Sequence, residues 1–283
     1  MTRATCLCGA VRYELTAPFT MMAHCHCSMC RKHHGAAFAT FVAGPLAAFR
    51  WLAGEERLDT YRSSEQGARS FCKTCGSVGP TLMHEIGFAA CPAGNLEHDP
   101  GIRPQNHMFV ASKAPWYTIT DSLPQHAAYP PEFGGGSGVE RPAIQTAPGS
   151  MAGSCLCSGV AYELDSALRM VNCHCSRCRR GRSAAHATNV IAEIDAFRWV
   201  RGAELVAEYK VPEARFFAVA FCTRCGGALP RISRERGFVV IPAGTLDSDP
   251  GIRPQAHIFV GSKAPWFEIT DALPQFEEMP PPS

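Results

Sequence analysis

The stretch AHCHCSMCRK sets Cys25, Cys27 and Cys30 at positions i, i+2 and i+5, with His24 before them and His26 between the first two. Three thiols so close cannot all be joined to one another by disulfides. Three chemistries fit: a redox device, a structural zinc knuckle one ligand short, or a metal site with a coordination position left for a substrate. Three protein ligands and an open fourth position are the arrangement of a catalytic rather than a structural zinc. A closed site of three cysteines and one histidine, or a redox-active thiol cluster, remains the competing reading.

The group recurs as VNCHCSRCRR, with Cys173, Cys175 and Cys178. Asn172 replaces His24, so His24 is no shared ligand, while His26 recurs as His174. Outside these groups, Cys6 and Cys8 form a C-x-C pair and Cys72 and Cys75 a C-x2-C-G turn, repeated as Cys155, Cys157, Cys222 and Cys225. Two such pairs from distant segments close a tetrahedral site of four thiolates, expected to hold a structural zinc. They would also staple the first strand to a later hairpin. The seven positions common to both copies thus divide as four plus three. Three thiolates on a zinc dication leave one net negative charge, which makes it a weak generator of hydroxide. Such an ion suits a soft fourth partner, a further thiol held as thiolate. Arg31 and Lys32, or Arg179 and Arg180, would offset that charge or receive an anionic substrate, unless they are only solvated surface cations.

These groups sit in a chain that repeats itself. CLCGAVRYEL at 6–15 returns as CLCSGVAYEL at 155–164, FCKTCG at 71–76 as FCTRCG at 221–226, and the long stretch from 92 to 125 as 242 to 275. The offset of about 150 residues is too long for a solenoid unit and marks a duplicated domain. The expected division is a first domain over 1–131, a flexible linker over 132–152 rich in Gly, Pro and Ser, and a second domain over 153–283 with a disordered tail. Strand signals dominate each copy: AVRYEL, AAFATFVA, FRWL, GFAACPAG and HMFVAS, then FVVIPAG and HIFVGS. No long segment has a helical period. Each copy reads as a small all-β domain reinforced by metal crosslinks.

The 283 residues are 46% hydrophobic and 18% charged, enough for a core, and the net charge is +2. No basic run argues for nucleic acid as a partner. No segment has the ~18 apolar residues of a membrane span, and the N-terminus lacks the apolar stretch of a signal peptide. Fifteen cysteines in a reducing compartment read as metal ligands, so a cytoplasmic location is expected.

Taken together, C-x-C-G-x-V-x-Y, C-H-C-x2-C-R-K-x2-G, F-C-x2-C-G, A-G-x-L-(D/E) and S-x-A-P-W resemble the glutathione-dependent formaldehyde-activating enzyme family, whose domain centromere protein V is similar to. The resemblance covers nearly the whole chain, twice. It implies two tandem Mss4-like (β-tent) zinc-binding domains with about two Zn2+ ions each. It puts structural ligands at Cys6, Cys8, Cys72 and Cys75 and at Cys155, Cys157, Cys222 and Cys225. It puts catalytic ones at Cys25, Cys27 and Cys30 and at Cys173, Cys175 and Cys178. The implied reaction joins a thiol, glutathione in the family, to an aldehyde, and its reverse is that of a carbon–sulfur lyase. The alternative is a non-catalytic, zinc-stabilised binding module. Copy two departs from the pattern: Ser183 replaces Gly35, His186 replaces Phe38 and Val219 replaces Arg69. This puts its catalytic site in doubt and allows an intramolecular pseudo-dimer of one working and one supporting domain.

Among the remaining residues, Cys91 with Ile241 as its counterpart is expected to be a buried apolar thiol. Trp116 and Trp266 are expected in the core or lining a groove. Asp99 with Arg103 and Asp249 with Arg253 are expected to stabilise turns, and His107 and His257 to be structural histidines.

Overall fold

The computed structural model describes residues 1–65, 67–131 and 150–280. Most of the expected linker, and residues 281–283 of the expected tail, lie outside the described residues. The first copy runs through β1 (Thr2–Thr5), β2 (Arg12–Leu15), β3 (Met21–Cys25), α1 (Ser28–His34), β4 (Ala39–Pro45), β5 (Phe49–Ala53), β6 (Leu58–Arg62), β7 (Ala68–Cys72), β8 (Thr81–Met83), β9 (Phe88–Pro92) and β10 (His107–Met108). The second repeats the order with β11 (Met151–Ser154), β12 (Ala161–Leu164), β13 (Arg169–Cys173), α2 (Ser176–Arg182), β14 (Ala187–Glu193), β15 (Phe197–Arg201), β16 (Val206–Lys210), β17 (Ala218–Cys222), β18 (Ala228–Leu229), β19 (Arg231–Ser233), β20 (Phe238–Pro242), β21 (His257–Ile258) and β22 (Gln275–Phe276). The all-β expectation holds, with two seven-residue helices as the only α elements among the described residues.

Each copy has a three-stranded sheet, β1-β2-β5 or β11-β12-β15, and a larger one, β10-β3-β4-β9-β8 in the first copy and β19-β20-β14-β13-β21-β22 in the second. β3 and β4 pair antiparallel from Met21–Ala43 to Cys25–Ala39, and β10 adds in parallel beside His24 and Cys25. The counterparts β13, β14 and β21 keep this register. Buried residues of β2, β3 and β4, such as Tyr13, Leu15, Met22 and Val42, meet Trp116 in the core. That cluster continues without a break into Tyr162, Leu164, Met170, Val190 and Trp266 of the second copy. Both tryptophans are therefore core residues, and each side chain this large contributes about 2–3 kcal/mol of burial or more.

The copies touch through reciprocal close approaches. A Cβ on Gly76 would stand 2.5 Å from the Phe221 ring, and one on Gly226 2.2 Å from the Phe71 ring. Gly94 likewise lies against the backbone of Ala184, and Gly244 against that of Ala36. Only glycine permits these backbone approaches. Lys32, far from being a solvated cation, is buried and pairs with Asp247 of the other copy. The last described residues are also tied down: the Phe259 amide donates to the Glu278 carbonyl at 3.2 Å.

Candidate metal centres and a cavity in the second copy

The three-cysteine group is not a single tight loop. Cys25 ends β3, Cys27 caps α1, and Cys30 lies in its first turn. The Cys27 thiol accepts from the Cys30 amide at 3.3 Å, meeting one of the amides a helix start leaves free. Gly35 ends α1 at φ 62°, its amide donating to the Arg31 carbonyl. The last turn carries Arg31, Lys32, His33 and His34, cations or polar groups suited to a helix C-terminus. A strand end and a helix start thus converge three thiols, whose sulfurs lie within 4.8 Å of one another. Cys173, Cys175 and Cys178 form the same group on β13 and α2.

The outer cysteines converge as well. Cys6 and Cys8 follow β1, Cys72 ends β7, and Cys75 sits in the turn that Gly76 closes at φ 70°. Sulfur separations are 3.4 Å for Cys6–Cys8 and 3.7 Å for Cys8–Cys72. Four thiolates at 2.3 Å around a tetrahedral zinc lie about 3.8 Å apart, so spacing and donor chemistry fit that ion. Cys155, Cys157, Cys222 and Cys225 form the matching group, with separations of 3.5 Å and 3.9 Å. Each of the four clusters can hold one metal ion.

No described histidine nitrogen or carboxylate oxygen joins either three-cysteine group within that 4.8 Å sphere. His26 instead shares a hydrogen bond with His107 at 2.8 Å, and His107 Nε2 lies 3.0 Å from both Asp121 oxygens. A carboxylate only accepts, so His107 Nε2–H donates to it and His107 Nδ1 accepts from His26. Burial, with His107 alongside, pushes His26 down to about 3, so it stays neutral. His174, His257 and Asp271 repeat the chain. His24 bonds Thr40 at 2.8 Å, and its replacement Asn172 accepts from Thr188 at the same distance. The substitution keeps a buried side-chain bond between neighbouring strands.

The surroundings of the two groups differ. In copy one all three cysteines are buried, and Arg69 on β7 donates to Cys30 Sγ at 3.7 Å. The same guanidinium donates to Ser63. In copy two Val219 takes that place, and Cys175 and Cys178 are partly exposed to a cavity of about 590 Å3. Sequence reasoning placed the doubt on copy two, and it is this copy's cysteines that border the cavity. It also missed Arg182, Arg215, Arg231 and Arg236, which line the cavity from separate elements. No shared spacing marks them, because their counterparts in copy one are not arginines.

Other expectations resolve simply. Cys91 is fully buried on β9 opposite Val42, and burial alone pushes its thiol up. Asp99–Arg103 and Asp249–Arg253 are exposed pairs at 2.8 Å spanning their turns. No described helix is long and apolar enough to cross a membrane.

The profile of the family described as glutathione-dependent formaldehyde-activating enzyme matches residues 1–112 and 150–262. A crystal structure of a Rhodobacter sphaeroides protein is similar, with 29% identity over 36% of this chain and 91% of that one, at a TM-score of 0.28. No curated protein matches the chain.

Proposed function

The chain belongs to the glutathione-dependent formaldehyde-activating enzyme family, and from that premise we propose that it is a zinc-dependent carbon–sulfur lyase acting on thiol–aldehyde adducts. In the forward direction a thiol sulfur bonds to the carbonyl carbon, the C=O π bond breaks, and the thiol proton ends on the resulting hydroxyl. With glutathione and formaldehyde the product is S-hydroxymethylglutathione. The observation that carries this reading is the convergence of Cys25, Cys27 and Cys30 with no described histidine, carboxylate or further cysteine joining them. A zinc ion there supplies a coordination position that favours a thiolate over a thiol.

The chain's own residues do the rest. Arg69, 3.7 Å from Cys30 Sγ, offsets the negative charge that three thiolates accumulate. The neutral His26, fixed by His107 and Asp121, is engaged away from the three sulfurs and would not be among the donors that hold a zinc there. The groups of four cysteines act as structural staples. The two copies work as an intramolecular pseudo-dimer, a proposal supported by their reciprocal glycine contacts. A reducing compartment such as the cytoplasm suits free thiolates.

The test is NMR exchange between formaldehyde and glutathione with the zinc-loaded protein, the Cys27→Ser variant and no protein. Acceleration over the spontaneous reaction, weakened in the variant, is expected. If exchange runs no faster than the spontaneous reaction with glutathione and other thiols, the lyase reading fails and a zinc-stabilised binding module remains.

A further inference from the structure

The cavity beside Cys173, Cys175 and Cys178 has an unusual lining. Arg169, Arg177, Arg182, Arg215, Arg231 and Arg236 all face it, and no Asp or Glu does. No described carboxylate forms an ion pair with any of the six. Arg182 is buried and Arg231 half-buried, with the other four at the exposed rim; gathering like charges away from water without a counterion is unfavourable, so the arrangement favours an anionic occupant. One polar atom in the lining reinforces this. Arg231 Nε, a donor, is buried and has no hydrogen-bond partner. Buried polar groups of this kind normally find partners.

The cations are also held in place. The Arg215 and Arg236 guanidinium carbons lie 4.6 Å and 5.3 Å from the centre of the Phe216 ring, and Arg236 lies 4.5 Å from that of Phe238. Stacking on aromatic faces fixes a guanidinium while leaving its N–H edge free to bind an anion. These arginines are not inherited from the common pattern of the two copies. Met21, His34, Thr81 and Ile86 stand in copy one where Arg169, Arg182, Arg231 and Arg236 stand in copy two. The segment bearing Arg215 is two residues longer, judged from Tyr209 to Cys222 against Tyr61 to Cys72. A volume of about 590 Å3 is in the range of sites for drug-sized ligands.

We infer that the copy-two cavity takes a polyanionic thiol, with its sulfur at Cys173, Cys175 and Cys178 and its anionic groups on the surrounding arginines. This rests on the proposed thiol chemistry of the three-cysteine group and names a substrate class for the second copy. Phosphorylated thiols and polycarboxylate thiols share the required chemistry. Coenzyme A and mercaptosuccinate represent the two sources.

The test is equilibrium binding to the zinc-loaded full chain, with Arg231→Gln/Arg236→Gln as the variant. The probes are coenzyme A, mercaptosuccinate, succinate and 2-mercaptoethanol. At least one polyanionic thiol should bind roughly tenfold or more tightly than either the thiol-free dianion or the neutral thiol. Roughly tenfold should be lost in the variant, from the loss of charged hydrogen bonds. Preference for coenzyme A identifies a phosphorylated ligand, and preference for mercaptosuccinate a polycarboxylate. The wild-type probe series stands by itself should the variant fail to fold. Equal binding of all four probes, or of succinate and mercaptosuccinate with none of coenzyme A, overturns the inference. Binding is read without turnover. Absent glutathione exchange with the polyanion preference intact therefore removes only the lyase reading, and the reverse result removes only this one.

Discussion

Lys32 of the first copy and Asp247 of the second meet at 2.6 Å with each side chain 3% exposed. Ser154 completes the group, accepting from Lys32 Nζ and donating to Asp247 at 2.8 Å. A buried pair adds little net stability, but deleting one partner strands a charge. Lys32→Ala should cost about 3–5 kcal/mol in denaturant unfolding. The Lys32→Met/Asp247→Leu double variant should recover at least half of that. A double variant no more stable than the single one would show that the stranded Asp247 charge is not the source of the loss.

Metal content follows from the cysteine groups. About four zinc ions per chain are expected, two tightly held in the groups of four and two more easily removed from the groups of three. Stepwise chelation followed by elemental analysis should show two populations. A total of about two would contradict metal binding by the three-cysteine groups.

Acid sensitivity should come partly from His186, which replaces Phe38 of the first copy. Burial, with His257 nearby, pushes it down to about 3, whereas an unfolded histidine titrates near 6.5. Below that pH the unfolded chain takes up a proton that the folded chain excludes, so stability falls as the pH falls from about 6.5 toward 3. At pH 4.5 the contribution reaches about 2–3 kcal/mol. His186→Phe should therefore flatten the pH dependence of the unfolding midpoint over this window. An unchanged slope would mean His186 is protonated in the fold.

The helix ends offer a direct comparison. Gly35 and Ser183 close α1 and α2 in the same left-handed conformation, at φ 62° and 51°. Ser183 tolerates it while its hydroxyl accepts from the Val78 amide at 2.9 Å across the copies. A Cβ on Gly35 would instead lie 2.6 Å from that of Ala228 and 2.8 Å from that of Pro242. Gly35→Ser should cost about 2 kcal/mol or more, while Ser183→Gly should cost about 1 kcal/mol, the value of the lost hydrogen bond offset by relieved strain. Thermal melts giving the opposite order would refute the steric explanation.

Arg69→Met tests the charge balance at Cys30. Glutathione–formaldehyde exchange should slow roughly tenfold, the effect of one charged hydrogen bond, with zinc content unchanged. Loss of zinc along with activity would assign Arg69 to metal retention instead.

Much of this site was legible in the chain because ligand pairs have short, fixed spacing and the repeat displays each one twice. The division into four and three cysteines needed only the positions of Cys6, Cys8, Cys25, Cys27, Cys30, Cys72 and Cys75 and their echoes. β3 escaped notice because Met21–Cys25 is short and has no β-branched residue. The fate of Lys32 was hidden too, because adjacent cations look like surface until a second domain covers one. The arginines at 169, 182, 215, 231 and 236 come from five separate segments, and only the folded chain makes them neighbours.

The reciprocal glycine contacts join two halves that belong to one polypeptide. In a symmetric assembly of separate identical chains, every substitution appears on both sides of the interface at once. Joining the two halves in one polypeptide lifts that constraint. Lys32 can face Asp247 while its counterpart Arg180 serves elsewhere, and His186 can stand where Phe38 does without a second histidine opposite. The tandem arrangement keeps the mutual support of a dimer and frees each half to change its own chemistry.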